Sequence, residues 1–316
     1  MVLGRAIFSA SALVGAVTVL ATAAGAADMD VYRKAPPPEA QPQATGYVEL
    51  YTGWAETKLN STSCSPTCFS FSDKNDGWVL GGAGRGTYWW APNASVQLDA
   101  QAEGTSYSWS SGGSSGHFST HGYLVGGHAS WRDPQRGLLG IFAAAGDASL
   151  IFGSNRHGLI GLEGQAYWGM LTLYGQAGYN ATLGDVSPSL DSVHAWFVRG
   201  TARVYPTANI RLEGTVLYAN GEYDFNATLG PPPSFEFDTW LWRAKAEFKL
   251  GASPFSMFAA YEGSRTTLDI VSGVLTENVR VTDHRFMGGI RLYLGENTLQ
   301  WNDNRGTTLD IIAPLS

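Results

Sequence analysis

In several extended segments of this chain charged side chains alternate with apolar ones. Asp99 and Glu103 alternate with apolar residues in Ser95–Tyr107, Glu163 does so in Leu159–Trp168, Arg199 in Val193–Tyr205, and Arg243 and Lys245 in Trp240–Leu250. A strand turns successive side chains to opposite faces, so each segment carries one ionic face and one apolar face. Along the chain the acidic members Glu49, Asp99, Glu103 and Glu163 come first. The basic members Arg199, Arg203, Arg211, Arg243, Lys245, Lys249 and Arg291 follow, interrupted by Glu213, Glu247 and Glu262. If the sheet closes on itself, the two halves of the chain become facing walls. An acidic wall of Asp99, Glu103 and Glu163 opposite a basic wall of Arg199, Arg243 and Lys245, all near mid-height, would set a transverse field across an aqueous lumen. Charge clusters of this kind select solutes in pores. The same groups, paired across the lumen, would plug it.

Bond-making chemistry has weaker support. His117 and His121 share parity with Ser119 between them, so a nucleophile–base pair for lipid hydrolysis on an outward face can be drawn. No convincing third member accompanies it. The expectation is no catalytic residue and no enzyme. The same histidines are expected to be solvated rather than to bind a metal. Gly81–Gly86 (GGAGRG) lacks the spacing of a dinucleotide fingerprint and is expected to let a sheet bend, so no cofactor is expected. Cys64 and Cys68 flank Pro66 in a polar stretch and are expected to form a disulfide in an oxidising compartment, pinning a small loop.

The elements that carry these residues are strands. Trp240, Trp242, Ala244, Ala246, Phe248 and Leu250 are apolar, while Arg243, Lys245, Glu247 and Lys249 between them are charged; only Leu241 breaks the alternation. A helix would scatter both sets around its circumference. About twelve such segments follow one another. They are Tyr47–Thr57, Trp78–Trp90, Ser95–Tyr107, Phe118–Trp131, Leu138–Ala145, Leu159–Trp168, Leu171–Tyr179, Val193–Tyr205, Ile210–Tyr223, Trp240–Leu250, Phe255–Arg265 and Val281–Leu294.

Charged residues make up 15% of the chain, below the share of about a quarter usual in soluble domains, and there are 39 Gly and 11 Trp. The mean hydropathy of -0.09 is nonetheless that of a water-soluble protein. Low charge without net greasiness suits a barrel with lipid outside and polar groups inside. A net charge of -7 argues against nucleic acid as a partner. Residues 1–27 read as a secretory signal: Arg5, an apolar run from Ile7 to Leu20, then Ala24-Gly25-Ala26. No later stretch reaches the roughly 20 apolar residues of a spanning helix. Residues 28–46, with Pro36-Pro37-Pro38, read as an extended periplasmic linker. Residues 47–294 hold the strands, and 295–316 form a C-terminal tail with three readings: periplasmic, folded into the lumen, or part of a barrel with a different strand count.

Connections at Pro92, Pro134, Gly169, Pro206 and Pro254 are short, and those between them are mostly longer and rich in Gly, Ser and Pro. This rhythm predicts an all-β fold, a closed up-and-down antiparallel transmembrane β-barrel of about 12 strands with short periplasmic turns and longer external loops. A Greek-key sandwich, the soluble alternative, does not sort its connections this way.

Ala27–Pro38, with its Lys34-Ala35-Pro36-Pro37 element, and the closing Trp301–Asp310 (WNDNRGTTLD) resemble porin-like outer-membrane β-barrel proteins of alphaproteobacteria. The resemblance implies residence in the bacterial outer membrane among lipid and lipopolysaccharide. The smaller members of that group have fewer strands, and outer-membrane barrels typically end on an aromatic, whereas here residues follow Tyr293-Leu294. The functional expectation is a small channel for passive diffusion of polar or weakly anionic solutes. The alternative is a plugged, structural or adhesin-like barrel whose loops around Cys64–Cys68 and Pro231–Pro233 bind a surface partner. Oligomeric state stays open.

Overall fold

The computed structural model describes residues 43–65, 67–111, 114–150, 153–183, 190–225, 234–272, 275–294 and 298–312. The signal segment, most of the Pro-rich linker, the Pro231–Pro233 loop and the last residues of the tail lie outside the described residues. The strands are β1 (Ala44–Ser65), β2 (Thr67–Ala91), β3 (Ala94–Ser111), β4 (Ser114–Asp133), β5 (Gly137–Leu150) and β6 (Gly153–Trp168), then β7 (Leu171–Thr182), β8 (Leu190–Thr207), β9 (Ile210–Phe225), β10 (Ser234–Lys249), β11 (Phe255–Ser272) and β12 (Leu275–Leu294). Each pairs antiparallel with its sequence neighbours, and β12 returns to β1, closing the barrel. A short helix, α1 (Leu299–Arg305), follows.

The face assignments follow the alternation. Val48, Leu50, Leu98, Ile141, Ile160, Leu162, Trp240, Phe248 and Ile290 are exposed on the outside, while Glu49, Asp99, Glu163, Arg199, Glu247 and Arg291 are buried inside. An outward apolar band is the surface a barrel turns to lipid. Near the short turns it carries Tyr88, Trp90, Trp131 and Trp168. Toward the opposite end, Trp196, Tyr218 and Trp240 form a cross-strand ladder with centroids 5.3 and 4.8 Å apart. Aromatic residues at both margins are what two lipid–water boundaries select.

The short turns show why the sequence reverses where it does. Gly169 (φ 56) and Gly251 (φ 58) take left-handed backbone at two of them, a conformation other residues enter only with strain. The turns after Tyr88–Ala91 and Tyr205–Thr207 are each preceded by a register shift, at Trp89/Ala91 and Val204/Thr207. Pro206 lies within the second, where a bulge tolerates a residue that cannot donate.

At the other end the strands run further than their hydrophobic pattern does. β2 has 25 residues and β7 only 12, so the wall is tall around β1 and β2 and low around β7. The extension of β1 and β2 is a polar ribbon held by Lys74–Glu56 (3.0 Å), Ser72–Asn60 (3.0 Å) and Thr62–Ser70 (3.2 Å). Beyond the lipid, pairing needs backbone hydrogen bonds but no apolar face, so alternation fades while the strand continues. The stretch read as a cysteine loop is therefore the hairpin tip: Cys64 stands opposite Cys68, and the two are disulfide-bonded. At the short-turn end β1 begins at Ala44, inside the segment read as linker, because β2 offers Gly86–Tyr88 as pairing partners.

Candidate functional site

After β12 the chain enters the barrel. Residues 298–312 occupy the lumen, with Leu299, Asp303, Leu309, Asp310, Ile311 and Ile312 all buried. Helix α1 sits at the short-turn end, its first turn capped by the Thr298 side chain, which accepts from the Trp301 backbone N–H (3.1 Å). Gln300 fastens it to two turns, donating from its backbone to Ala208 O (3.1 Å) and from its amide to Gly169 O (2.5 Å). Leu299 packs among Tyr47, Tyr205 and Tyr293. The Trp89 indole donates to Arg305 O (3.1 Å), and buried Arg132 donates to Gly306 O (2.6 Å) while lying over the Trp89 ring.

Beyond the helix the tail is extended, and its backbone poses an accounting problem. In a closed barrel the strands already satisfy each other, so an inserted peptide must find side-chain partners. Gln97 supplies a reciprocal pair, accepting from Leu309 N (3.3 Å) and donating to Leu309 O (2.7 Å). Arg85 adds a second donor to Leu309 O (3.3 Å). The Asp310 carbonyl accepts from Gln176 (3.0 Å), Tyr174 (3.2 Å) and Arg199 (3.2 Å). Thr308 Oγ1 accepts from Arg203 (2.7 Å) and Gln165 (3.1 Å). These inward polar side chains come from β2, β3, β6, β7 and β8. Together they read the tail as a strand partner would.

The Asp310 carboxylate lies among guanidinium groups, with Arg199 Nη2 at 2.8 and 3.0 Å from its two oxygens and Arg85 and Arg203 each at 3.9 Å. Arg203 also holds Asp303 (2.7 Å) and Glu213 (2.9 Å). Burial by itself would raise the Asp310 carboxyl, but Arg199, Arg85 and Arg203 hold it well below the usual carboxylate range. Asp303 is lowered in the same way, burial being outweighed by Arg203.

Above Asp310, Ile311 and Ile312 close an apolar cluster with Leu124, Phe142, Leu159, Phe197, Leu217 and Leu241. All six wall residues point inward, on the parity otherwise used by charge. Leu241, the break in the alternation of β10, is thus part of the seat for the tail. Gly126 of β4 makes room there, since a Cβ at that position would collide with Ile311 Cδ1. On the far side of these isoleucines opens a cavity of about 300 Å³ lined by Tyr51, Glu103, Leu241, Arg243, Glu262 and Arg285, among others.

All six charges of the expected walls face inward, but each is matched locally. Asp99 contacts Arg85 (3.7 Å) and His128 (3.3 Å), and His128 bridges it to Glu163 (2.7 Å). Glu103 pairs with Arg285 (2.5 Å) and accepts from Tyr51 (2.8 Å). Arg243 pairs with Glu262 on β11. Lys245 lies 3.6 Å from Glu49 and over the Phe258 ring. Arg199 goes to the tail. None of the acidic three meets any of the basic three. Sequence reasoning missed Arg85, hidden in the glycine run of β2, and His128, which follows Gly126-Gly127. It also missed Asp303 and Asp310, because the tail has no strand parity to interpret. His117 and His121 point outward and bond Ser108 (3.1 Å) and Ser149 (3.0 Å) on neighbouring strands, not the intervening Ser119.

No family model and no curated protein matches the chain. Solved structures do. An outer-membrane channel from Pseudomonas putida F1 superposes with TM-score 0.53 at 14% identity, covering 83% of this chain and 100% of that one. A FadL homologue from Pseudomonas aeruginosa gives 0.44 at 11% identity (78% and 90% covered), and the outer-membrane protease OmpT from Escherichia coli gives 0.36 at 9% (82% and 99%). The likeness is one of fold, and together with the apolar belt it is that of a closed antiparallel barrel of the bacterial outer membrane.

Proposed function

We propose that this barrel is a porin-like channel kept shut by its own C-terminal segment. Release of that segment opens a path for small polar or weakly anionic solutes. The observation that carries the reading is how the plug is held: residues 298–312 belong to no strand pairing, and side chains of the wall bind them. Such a segment can leave without unzipping the barrel. With the tail out, the apolar cluster of Leu124, Phe142, Leu159, Phe197, Leu217 and Leu241 is uncovered beside polar and charged side chains such as Glu103, Arg243, Glu262 and Arg285. Those charged groups are what supports passage of hydrated solutes. The porin-like group that the Lys34–Pro37 and Trp301–Asp310 motifs resemble, and the channel from P. putida that shares the fold, support the same direction. The partners are outer-membrane lipid and lipopolysaccharide outside and small solutes within. Passage rather than hydrolysis is assigned because, among the described residues, no carboxylate or amide orients the His117 or His121 ring against its serine.

Single-channel recording in planar bilayers tests this. Full-length protein should be mostly closed. Ile311→Asp, which puts a charge into the apolar cluster, should conduct while keeping heat-modifiable migration. A folded Ile311→Asp barrel with its tail released and no current ends the channel reading.

A second reading rests on the tall β1–β2 ribbon. Beside its disulfide tip, Phe69 and Phe71 are 76% and 58% exposed, an unusual use of aromatics on a water-facing hairpin. This favours a surface-interaction role for the same barrel. Loss of cell or surface binding on Phe69→Ser/Phe71→Ser would support it, and unchanged binding would remove it.

A further inference from the structure

We infer that the seat of Asp310 is a solute-binding site, and that its ligand is a small carboxylate bearing a neutral carbonyl oxygen on a four-carbon skeleton. The tail displays that ligand already. From the backbone carbonyl carbon of Asp310 through Cα and Cβ to the carboxylate carbon is a four-carbon chain, and the lumen contacts both ends of it. The carboxylate end meets Arg199 (2.8 and 3.0 Å), Arg85 (3.9 Å) and Arg203 (3.9 Å). Arginine forks are matched in shape to carboxylates, and this end defines the charge of the ligand. The carbonyl end meets Gln176 (3.0 Å), Tyr174 (3.2 Å) and a second guanidinium nitrogen of Arg199 (3.2 Å).

Two further observations narrow the class. Gln176 also donates to Glu163 (3.2 Å), and the single Tyr174 hydroxyl proton is shared between Glu163 (2.8 Å) and the Asp310 carbonyl (3.2 Å), so a second carboxylate at the carbonyl end would be drawn toward an existing one; a neutral amide or ketone oxygen suits it. Arg199 is buried, yet its Nε has no hydrogen-bond partner, and among the described residues Asp310 is the carboxylate within 4 Å of it. The seat therefore retains a donor that Asp310 does not use, and it loses its counter-charge when the tail leaves. A solute that copies Asp310 competes with the plug and takes its place in the open lumen, so cargo and release signal are one molecule. The role as cargo rests on the plugged-channel reading; the competition with the tail does not.

The test is hydrogen exchange of the tail peptide 299–316 in the full-length protein, with succinamate as probe. A ligand that binds the undocked form raises its population by 1 + [L]/Kd, about tenfold at ten times Kd. Succinamate should therefore accelerate exchange in a saturable way. Butyrate, which lacks the carbonyl, should do less, and succinamide and KCl of equal ionic strength should do nothing. Arg199→Gln, with heat-modifiable migration intact, should abolish the succinamate response. Equal responses to succinamate, butyrate and KCl overturn the proposal, as does a response that survives Arg199→Gln. Parallel bilayer recordings separate the two ideas: tail release by succinamate in a silent bilayer sustains the site and sinks the channel, whereas conducting Ile311→Asp protein with a succinamate-indifferent tail does the reverse.

Discussion

Arg199 on β8 and Asp310 near the end of the chain are 111 residues apart and share two nitrogen–oxygen contacts of 2.8 and 3.0 Å inside the barrel. Arg199 also donates to the Asp310 carbonyl. Removing one partner of a buried pair strands the other charge and costs far more than the pair itself is worth. Arg199→Gln and Asp310→Asn should each loosen the tail, and the double substitution should cost less than the sum. A coupling on the order of 2 kcal/mol is expected for groups in direct contact. Exchange of the tail amides, read as a double-mutant cycle, checks this; additive effects would show that the contact contributes nothing specific.

Leu241→Ala should release the tail while sparing the barrel. Its side chain belongs to the cluster that covers Ile311 and Ile312, whereas its neighbour Trp240 is exposed outside. Truncating a buried leucine costs about 2–5 kcal/mol. Faster protease cleavage of the tail at unchanged heat-modifiable migration is the expected result, with Trp240→Ala leaving the tail as it was.

Leu241 also marks how far the sequence could be read. Strand parity was legible because lipid demands an unbroken apolar face, and the inward charges were legible by subtraction. The plug was not. Trp301–Asp310 has neither strand period nor helical apolar stripe, and its docking depends on Gln97, Gln165, Gln176, Arg85 and Arg199, polar residues that any wet lumen would accept. The available signal was negative: Leu124, Phe142, Leu159, Phe197, Leu217 and Leu241 occupy the ionic parity, and apolar residues on the water side of a barrel need a cover. The partners of each wall charge were equally hidden, because register and closure decide that Arg243 meets Glu262 and Arg291 meets Glu49.

Acid should undock the tail late. Asp310 and Asp303 are lowered in the docked state by their arginine neighbours, so their contribution is complete above the ordinary aspartate value and lost as pH falls through the lowered one. Tail exchange, corrected for its intrinsic pH dependence, should be flat from neutral pH to about pH 5 and rise progressively below. Asp310→Asn should flatten that rise. Release beginning near neutral pH would assign the control to another group.

Reducing the Cys64–Cys68 bond should leave the barrel untouched. The bond closes a short loop at the tip of the β1–β2 ribbon, and loop-closure entropy for so small a ring is about 2 kcal/mol at most. Heat-modifiable migration should be unchanged by reductant, with faster amide exchange confined to the ribbon. A reductant-sensitive barrel would mean that the ribbon supports the wall below it.

Arg243 should set the ion preference of the released lumen. It lines the cavity beyond Ile311 and Ile312, and Glu262 is its partner on β11. Reversing its charge leaves two carboxylates where an ion pair stood, in the path that any solute takes to reach the plug. A unit charge about 4 Å from a passing ion is worth about 1 kcal/mol in water, so the cation-to-anion permeability ratio should rise by about fivefold or more. The measurement is the reversal potential under a KCl gradient for Ile311→Asp protein with and without Arg243→Glu. Because both proteins carry the same released tail, a shift reports the wall charge alone. An unmoved reversal potential would mean that ions bypass Arg243.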